Sequence, residues 1–167
     1  MTEWDTYVTQ VVDKYDFDTN EVVMSNLCTA AAIYGHDGSC WAYTAAFPEL
    51  TKYEFSVEGM SPEDITVVQV DEFDAVKKAG EGDRKPCGDA GMRLGNKKYM
   101  FVFHDETAKV TQLSCSGGGA AIYNINGASI IAIYDKNVKS SDDGAQSGAR
   151  CAEQVGIMGA FLTESGY

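Results

Sequence analysis

The chain has no run near the roughly 20 consecutive apolar residues that a membrane-spanning helix requires. It also opens without the basic segment and apolar stretch of a secretory signal. Neither a membrane span nor a secretory signal is expected. Positive charge is scarce: 13 Lys and Arg stand against 25 Asp and Glu, a net charge of −12. Phosphate binding needs a dense Lys/Arg surface, so nucleic acid is excluded as the main partner, and tight binding to anionic lipid is disfavoured. Arg93, Lys97 and Lys98 form a small basic cluster. The two His, His36 and His104, fall in expected turns, at no recognisable spacing from a Cys or carboxylate. The five Cys are an odd number without metal-type pairs and read as reduced thiols of a cytosolic protein. A thiol enzyme built on Cys40 or Cys115 is outweighed by the far commoner buried structural thiol. Gly117–Gly119 lacks the Lys-Ser/Thr of a phosphate-cradling loop. No catalytic residue, metal or cofactor is expected.

What is present is a core. With 44% hydrophobic residues in 167, residues 1–167 are read as one domain. A first helix is capped by Thr2, has Glu3 and Asp5 in its first turn, and carries Trp4, Tyr7, Val8, Val11, Val12 and Tyr15 at helical spacing. Val8, Val11, Val12 and Tyr15 suffice for a core stripe. Trp4 and Tyr7 could join it, and composition alone favours that. Residues 16–21 (DFDTNE) are a polar break, and residues 27–44 read as two strands around a His36-Asp37-Gly38 turn, closed by Phe47-Pro48. SPEDI (61–65) reads as a helix start with Pro62 inside a Ser cap. Residues 65–70 fit a strand or a short helix, and residues 77–91 read as a long surface loop.

Residues 92–94, 97–104, 109–116, 120–126 and 128–135 read as consecutive strands, with Asn126-Gly127 a hairpin turn. A polar linker (136–148) leads to a last helix over residues 149–163, whose inner stripe is Cys151, Val155, Met158 and Leu162. Phe161 lies at the border of that stripe. Laying both helices on one face of an antiparallel sheet buries both stripes, an α+β sandwich. This brings Trp4 and Tyr7 towards Phe161, Leu162 and Tyr167, with Trp41 able to join them.

Trp4 and Tyr7, AAAIYGHDGSCWA (30–42), FPEL (47–50), RLGNKKYM (93–100), GGGAAI (117–122), IIAIYD (130–135) and GAFLTESGY (159–167) together resemble the profilins, in family order along all but about residues 51–90. The resemblance implies a central antiparallel sheet with the N- and C-terminal helices on one face and small helices on the other. It implies a groove for proline-rich segments at Trp4, Tyr7, Trp41, Phe161, Leu162 and Tyr167, which turns Trp4 and Tyr7 from core residues into ligand-facing ones. Phe161 stands where relatives carry Tyr or His. A separate surface for monomeric actin is implied at Lys98, Met100, Asn124, Gln146, Ala149, Arg150, Glu153 and Gly156. Here Tyr123 and Asn124 replace common basic residues, Glu153 a common Lys, and Gly156 a common aromatic. The implied activity is regulation of actin polymerisation and nucleotide exchange at the cytoskeleton, with recruitment by proline-rich filament elongators. The departures leave open a proline-binding adaptor with weak or lost actin binding, and phosphoinositide binding is expected to be weak. The enlarged 51–90 segment is either a tolerated insertion or a further actin contact.

Overall fold

In the computed structural model, which describes residues 2–167, the apolar runs become the centre of a seven-stranded antiparallel sheet. In chain order the elements are α1 (Glu3–Val12), β1 (Lys14–Asp16), β2 (Glu21–Met24), β3 (Ala30–Gly35), β4 (Cys40–Tyr43), β5 (Lys52–Glu58) and β6 (Ile65–Asp71). They continue with α2 (Glu72–Gly80), β7 (Met92–Leu94), β8 (Lys97–Asp105), β9 (Val110–Cys115), β10 (Gly118–Ile125), β11 (Ala128–Asp135) and α3 (Gly148–Glu164). The sheet runs β4-β3-β11-β10-β9-β8-β7, while β1–β2 and β5–β6 are separate two-stranded ribbons.

Two cores lie on opposite faces of the sheet. Ala31 and Ile33 of β3, Ala121 and Tyr123 of β10, and Ile130 and Ala132 of β11 pack under α1 and α3. Ala30, Ala32, Ile122 and Ile131 alternate to the other face, under α2 and the foot of the β5–β6 ribbon. Burial on both faces is why these central strands read as continuous apolar runs rather than as alternating ones.

The two long helices are tied by a polar contact inside this packing. Gln154, nearly fully buried on α3, donates its amide to the Val11 carbonyl at 2.9 Å. It thereby satisfies a carbonyl that the end of α1 leaves without a helical partner. Gly159 lets α3 lie against β10, since a Cβ there would fall into the Tyr123 ring. Gly159→Ala is expected to destabilise the fold by about 1–3 kcal/mol, the cost of overpacking a closed interface. A urea melt checks this: the midpoint should fall while the m-value holds.

Three sequence expectations change. The SPEDI segment is the turn of the β5–β6 hairpin, not a helix start; Glu58 pairs with Ile65, and Pro62 lies outside the ladder. Tyr53, Phe55 and Val57 alternate with Lys52, Glu54, Ser56 and Glu58, a strand period that outweighs the local capping signal. The 77–91 loop holds the end of α2, which Asp71 caps by accepting the amides of Phe73 and Asp74. Finally, α1 stops at Val12, and Tyr15 lies instead on β1, paired with Val22 across the β1–β2 ribbon. The polar break is the turn of that ribbon.

Candidate functional site

The site starts from the way α3 ends. Gly166 adopts φ 99°, a conformation that costs a side-chain-bearing residue strain. It allows the Gly166 amide to reach the Thr163 carbonyl and the Tyr167 amide the Leu162 carbonyl, closing the last turn. The chain folds back, and the Tyr167 ring meets Trp4 edge-on with centroids 5.0 Å apart. Trp4 in turn lies 4.7 Å from Trp41 on β4 and 5.5 Å from Tyr7. Tyr7 lies 5.9 Å from Phe161. Each such pair contributes about 0.5–1.5 kcal/mol beyond its buried area, so the rings hold one another in place.

The members of this cluster play different parts. Trp4 and Trp41 are half-buried, and Phe161 and Tyr167 are exposed. The Trp41 indole N–H is spent on Ser39 Oγ at 3.2 Å, and the Ser39 hydroxyl and amide both donate to Asp37, holding its carboxyl below the usual range. This chain fixes the tilt of the Trp41 ring. Trp4 has no such partner among the described residues. Among the described residues no buried side-chain polar atom is left unpaired, so the Trp4 N–H is open to solvent there.

Two of the expected groove residues need correction. Leu162 is 0% exposed and belongs to the core under α3, so it supports the cluster from below and offers no ligand surface. Tyr7 is only 9% exposed, and its hydroxyl donates to Glu3 at 2.5 Å. Burial, then that bond, push its pKa up to about 12. Tyr7 is the floor between Trp4 and Phe161 rather than a free donor. One residue was missed. Phe17, in the β1–β2 turn, lies nearly parallel to Phe161 at 5.7 Å. The available signal was a large aromatic stranded in an otherwise polar turn.

The second expected surface divides by sheet face. Tyr99 and Phe101 of β8 pack on the α2 side, so Lys98 and Met100 between them face the α3 side. There α3 lies over β9, β10 and β11 and leaves β8 open. Met100 is 58% exposed, and Ala149, Glu153 and Gly156 lie on α3 within reach of solvent. A groove of about 500 Å³ runs between Lys109, Val110 and Tyr123 of the sheet side and Ala152, Glu153, Gly156 and Ile157 of α3.

Three of the remaining expected contacts are spent inside the protein. Asn124 points to the opposite face, where its amide donates to the Lys77 carbonyl of α2 at 2.8 Å. Gln146 is 1% exposed and joins Thr29, Asp135 and Asn26 by three hydrogen bonds. Gln146 therefore presents no surface to a partner, and Asn124 stays part-buried with its amide engaged. Arg150 forms a bidentate pair with Asp142 at 2.7 and 3.0 Å. That pair holds the Asp142 carboxyl far below the ordinary carboxylate range and docks the 140–144 turn. Glu153 pairs with Lys14 at 3.6 Å across to β1. The basic cluster also splits, because Arg93 turns inward and lies 4.0 Å over the Phe55 ring. Among the described residues, no group of His, Cys, Asp and Glu is arranged to hold a metal, and no helix is long and apolar enough to cross a membrane. Cys40 is exposed, and desolvation by its neighbours pushes its thiol upward, opposite to what a thiolate nucleophile needs.

Comparison with known proteins bears on the family and the fold. The profilin family model matches residues 2–167. Among solved structures, Acanthamoeba castellanii profilin II is 21% identical with a TM-score of 0.59, over 99% of this chain and 100% of that one. Schizosaccharomyces pombe profilin is 17% identical with a TM-score of 0.61, over 99% and 100%. Mouse profilin IIa, solved in complex with a double repeat from the FH1 domain of mDia1, is 18% identical with a TM-score of 0.60, also over 99% and 100%.

Proposed function

The chain belongs to the profilin family, and from that premise we propose that it binds proline-rich segments on the ring cluster and monomeric actin on the open sheet face beside α3. The observation that carries the reading is the shelf itself: Trp4, Trp41, Phe161 and Tyr167 gathered over Tyr7 with part of their rings open to water. A polyproline II segment has no internal hydrogen bonds, so its carbonyls are available, and its flat rings stack on aromatic faces. The Trp4 N–H is the donor placed to meet such a carbonyl. The likeness to a profilin solved with a double repeat from the FH1 domain of mDia1 supports the same choice of ligand.

On the other surface, Met100 supplies apolar area and Lys98 a charge that steers an acidic partner. Binding one actin conformation better than another shifts that partner's population and so changes its nucleotide exchange, with no chemistry performed by this chain. Holding both partners at once concentrates actin monomers where a proline-rich elongator works, at the cytoskeleton. Arg93's inward turn leaves only Lys97 and Lys98 of the basic cluster for anionic lipid, and phosphoinositide binding is accordingly expected to be weak.

The actin reading is tested by the double variant Lys98→Glu, Met100→Ser. Fluorescence anisotropy should show actin-monomer affinity falling by roughly 10-fold or more, as for a contact near an interface centre, with proline-decamer affinity unchanged. A specific observation supports the adaptor alternative. Asn124, Gln146 and Arg150 are all committed inside the protein, which thins the expected contact set. No measurable actin affinity in the unmodified chain, beside intact proline binding, selects that reading.

A further inference from the structure

We propose that Phe17 extends the proline shelf past Phe161 by one subsite, so that the protein selects longer proline-rich segments. The inference rests on the reading of the shelf as a proline site and adds its length. Phe17 is not needed by its own turn. The Asp16 carboxylate accepts the amides of Asp18 at 2.9 Å and Thr19 at 3.2 Å, the Asp16 carbonyl accepts the Asn20 amide at 2.7 Å, and Asn20 takes the left-handed conformation at φ 57°. Polar groups alone close the ribbon. The aromatic ring nevertheless lies against Phe161 with planes 6° apart, and both rings stay open, Phe17 at 50% and Phe161 at 38% exposure.

The ring contacts run from the shelf to Phe17 without a gap. In the series Trp4, Tyr7, Phe161 and Phe17, neighbouring centroids lie 5.5, 5.9 and 5.7 Å apart, which puts Phe17 within about 17 Å of Trp4. A polyproline II helix rises ~3.1 Å per residue, so about six residues cover that distance. The contacts link β4 through α1 and α3 to the β1–β2 ribbon. A triproline, ~9 Å long, seated on Trp4, Trp41 and Tyr167 ends short of Phe17; a dodecaproline covers it.

The test compares triproline and dodecaproline binding, by intrinsic Trp fluorescence, to the unmodified chain, Phe17→Ala and Trp4→Ala. Dodecaproline should bind the unmodified chain more tightly than triproline. Phe17→Ala should lose roughly 3- to 10-fold towards dodecaproline, the value of one aromatic contact, with triproline affinity kept within about twofold. Retained triproline affinity also shows that the variant is folded. Equal loss towards both ligands, no loss towards either, or tighter binding because Phe17 had been covering Phe161 each overturns the subsite alone. Failure of the unmodified chain to bind dodecaproline, or dodecaproline binding that Trp4→Ala leaves intact, overturns the proline reading and the subsite with it.

Discussion

Trp4→Ala should weaken proline-decamer binding by about 2–3 kcal/mol, roughly 30- to 150-fold, and leave actin-monomer affinity unchanged. The size follows from position. Trp4 is the ring common to three contacts, touching Tyr7, Trp41 and Tyr167. Its loss removes both a stacking face and the support that holds Tyr167 in place. Trp4→Phe separates the two roles, because it keeps a ring and drops the N–H. Its expected cost is that of one hydrogen bond, about 1 kcal/mol or roughly fivefold. Titrations of both variants with the decamer, beside actin anisotropy, measure this. Equal damage to proline and actin binding would mean that Trp4 serves the core and not the ligand.

Glu72→Ala should be the most destabilising single change in the second core, by about 3–5 kcal/mol. Glu72 is 0% exposed, yet its carboxylate is fully used. It accepts the amides of Thr51 at 3.0 Å, Gly95 at 3.2 Å and Asn96 at 2.8 Å, and the Tyr53 hydroxyl at 2.8 Å. Arg93 Nε donates to the same hydroxyl at 3.0 Å. One side chain thus joins the foot of the β5–β6 ribbon, the start of α2 and the β7–β8 turn. Alanine would leave these part-buried donors without their shared acceptor. Glu72→Gln keeps the shape but sets an amide against donors, so it should fall between alanine and the unmodified chain. Urea unfolding orders the three. A loss under about 1 kcal/mol for alanine would contradict the role assigned here.

The sheet and the long helices were legible because their signals are local and agree with one another: β-branched runs in β10 and β11, a left-handed Gly127 at their turn, and stripes on α1 and α3. The 51–90 segment was harder. A Ser-Pro pair mimics a helix cap, and only the alternation of Tyr53, Phe55 and Val57 shows the strand. For α2, nine residues rich in charge carry a short apolar stripe that a loop could also show. The site was legible as a cluster but not residue by residue. The side of α3 occupied by Leu162 and Phe161 follows from a 100° step, yet whether Tyr7 stands proud or lies under its neighbours depends on how far Tyr167 folds back. Asn124 and Gln146 were misjudged because surface-type residues can be drawn inward by backbone partners distant in sequence, Lys77 and Asn26 among them. Glu72 and Phe17 gain their parts from tertiary neighbours alone.

The separation of the two binding faces is tested most directly by titrating a proline decamer into the free protein and into the protein saturated with actin monomer. The account predicts the same decamer affinity in both titrations, within about twofold, since the rings of Trp4 and Tyr167 and the open face of β8 share no side chain. Displacement of actin by the decamer, or a decamer affinity that collapses once actin is bound, would contradict it.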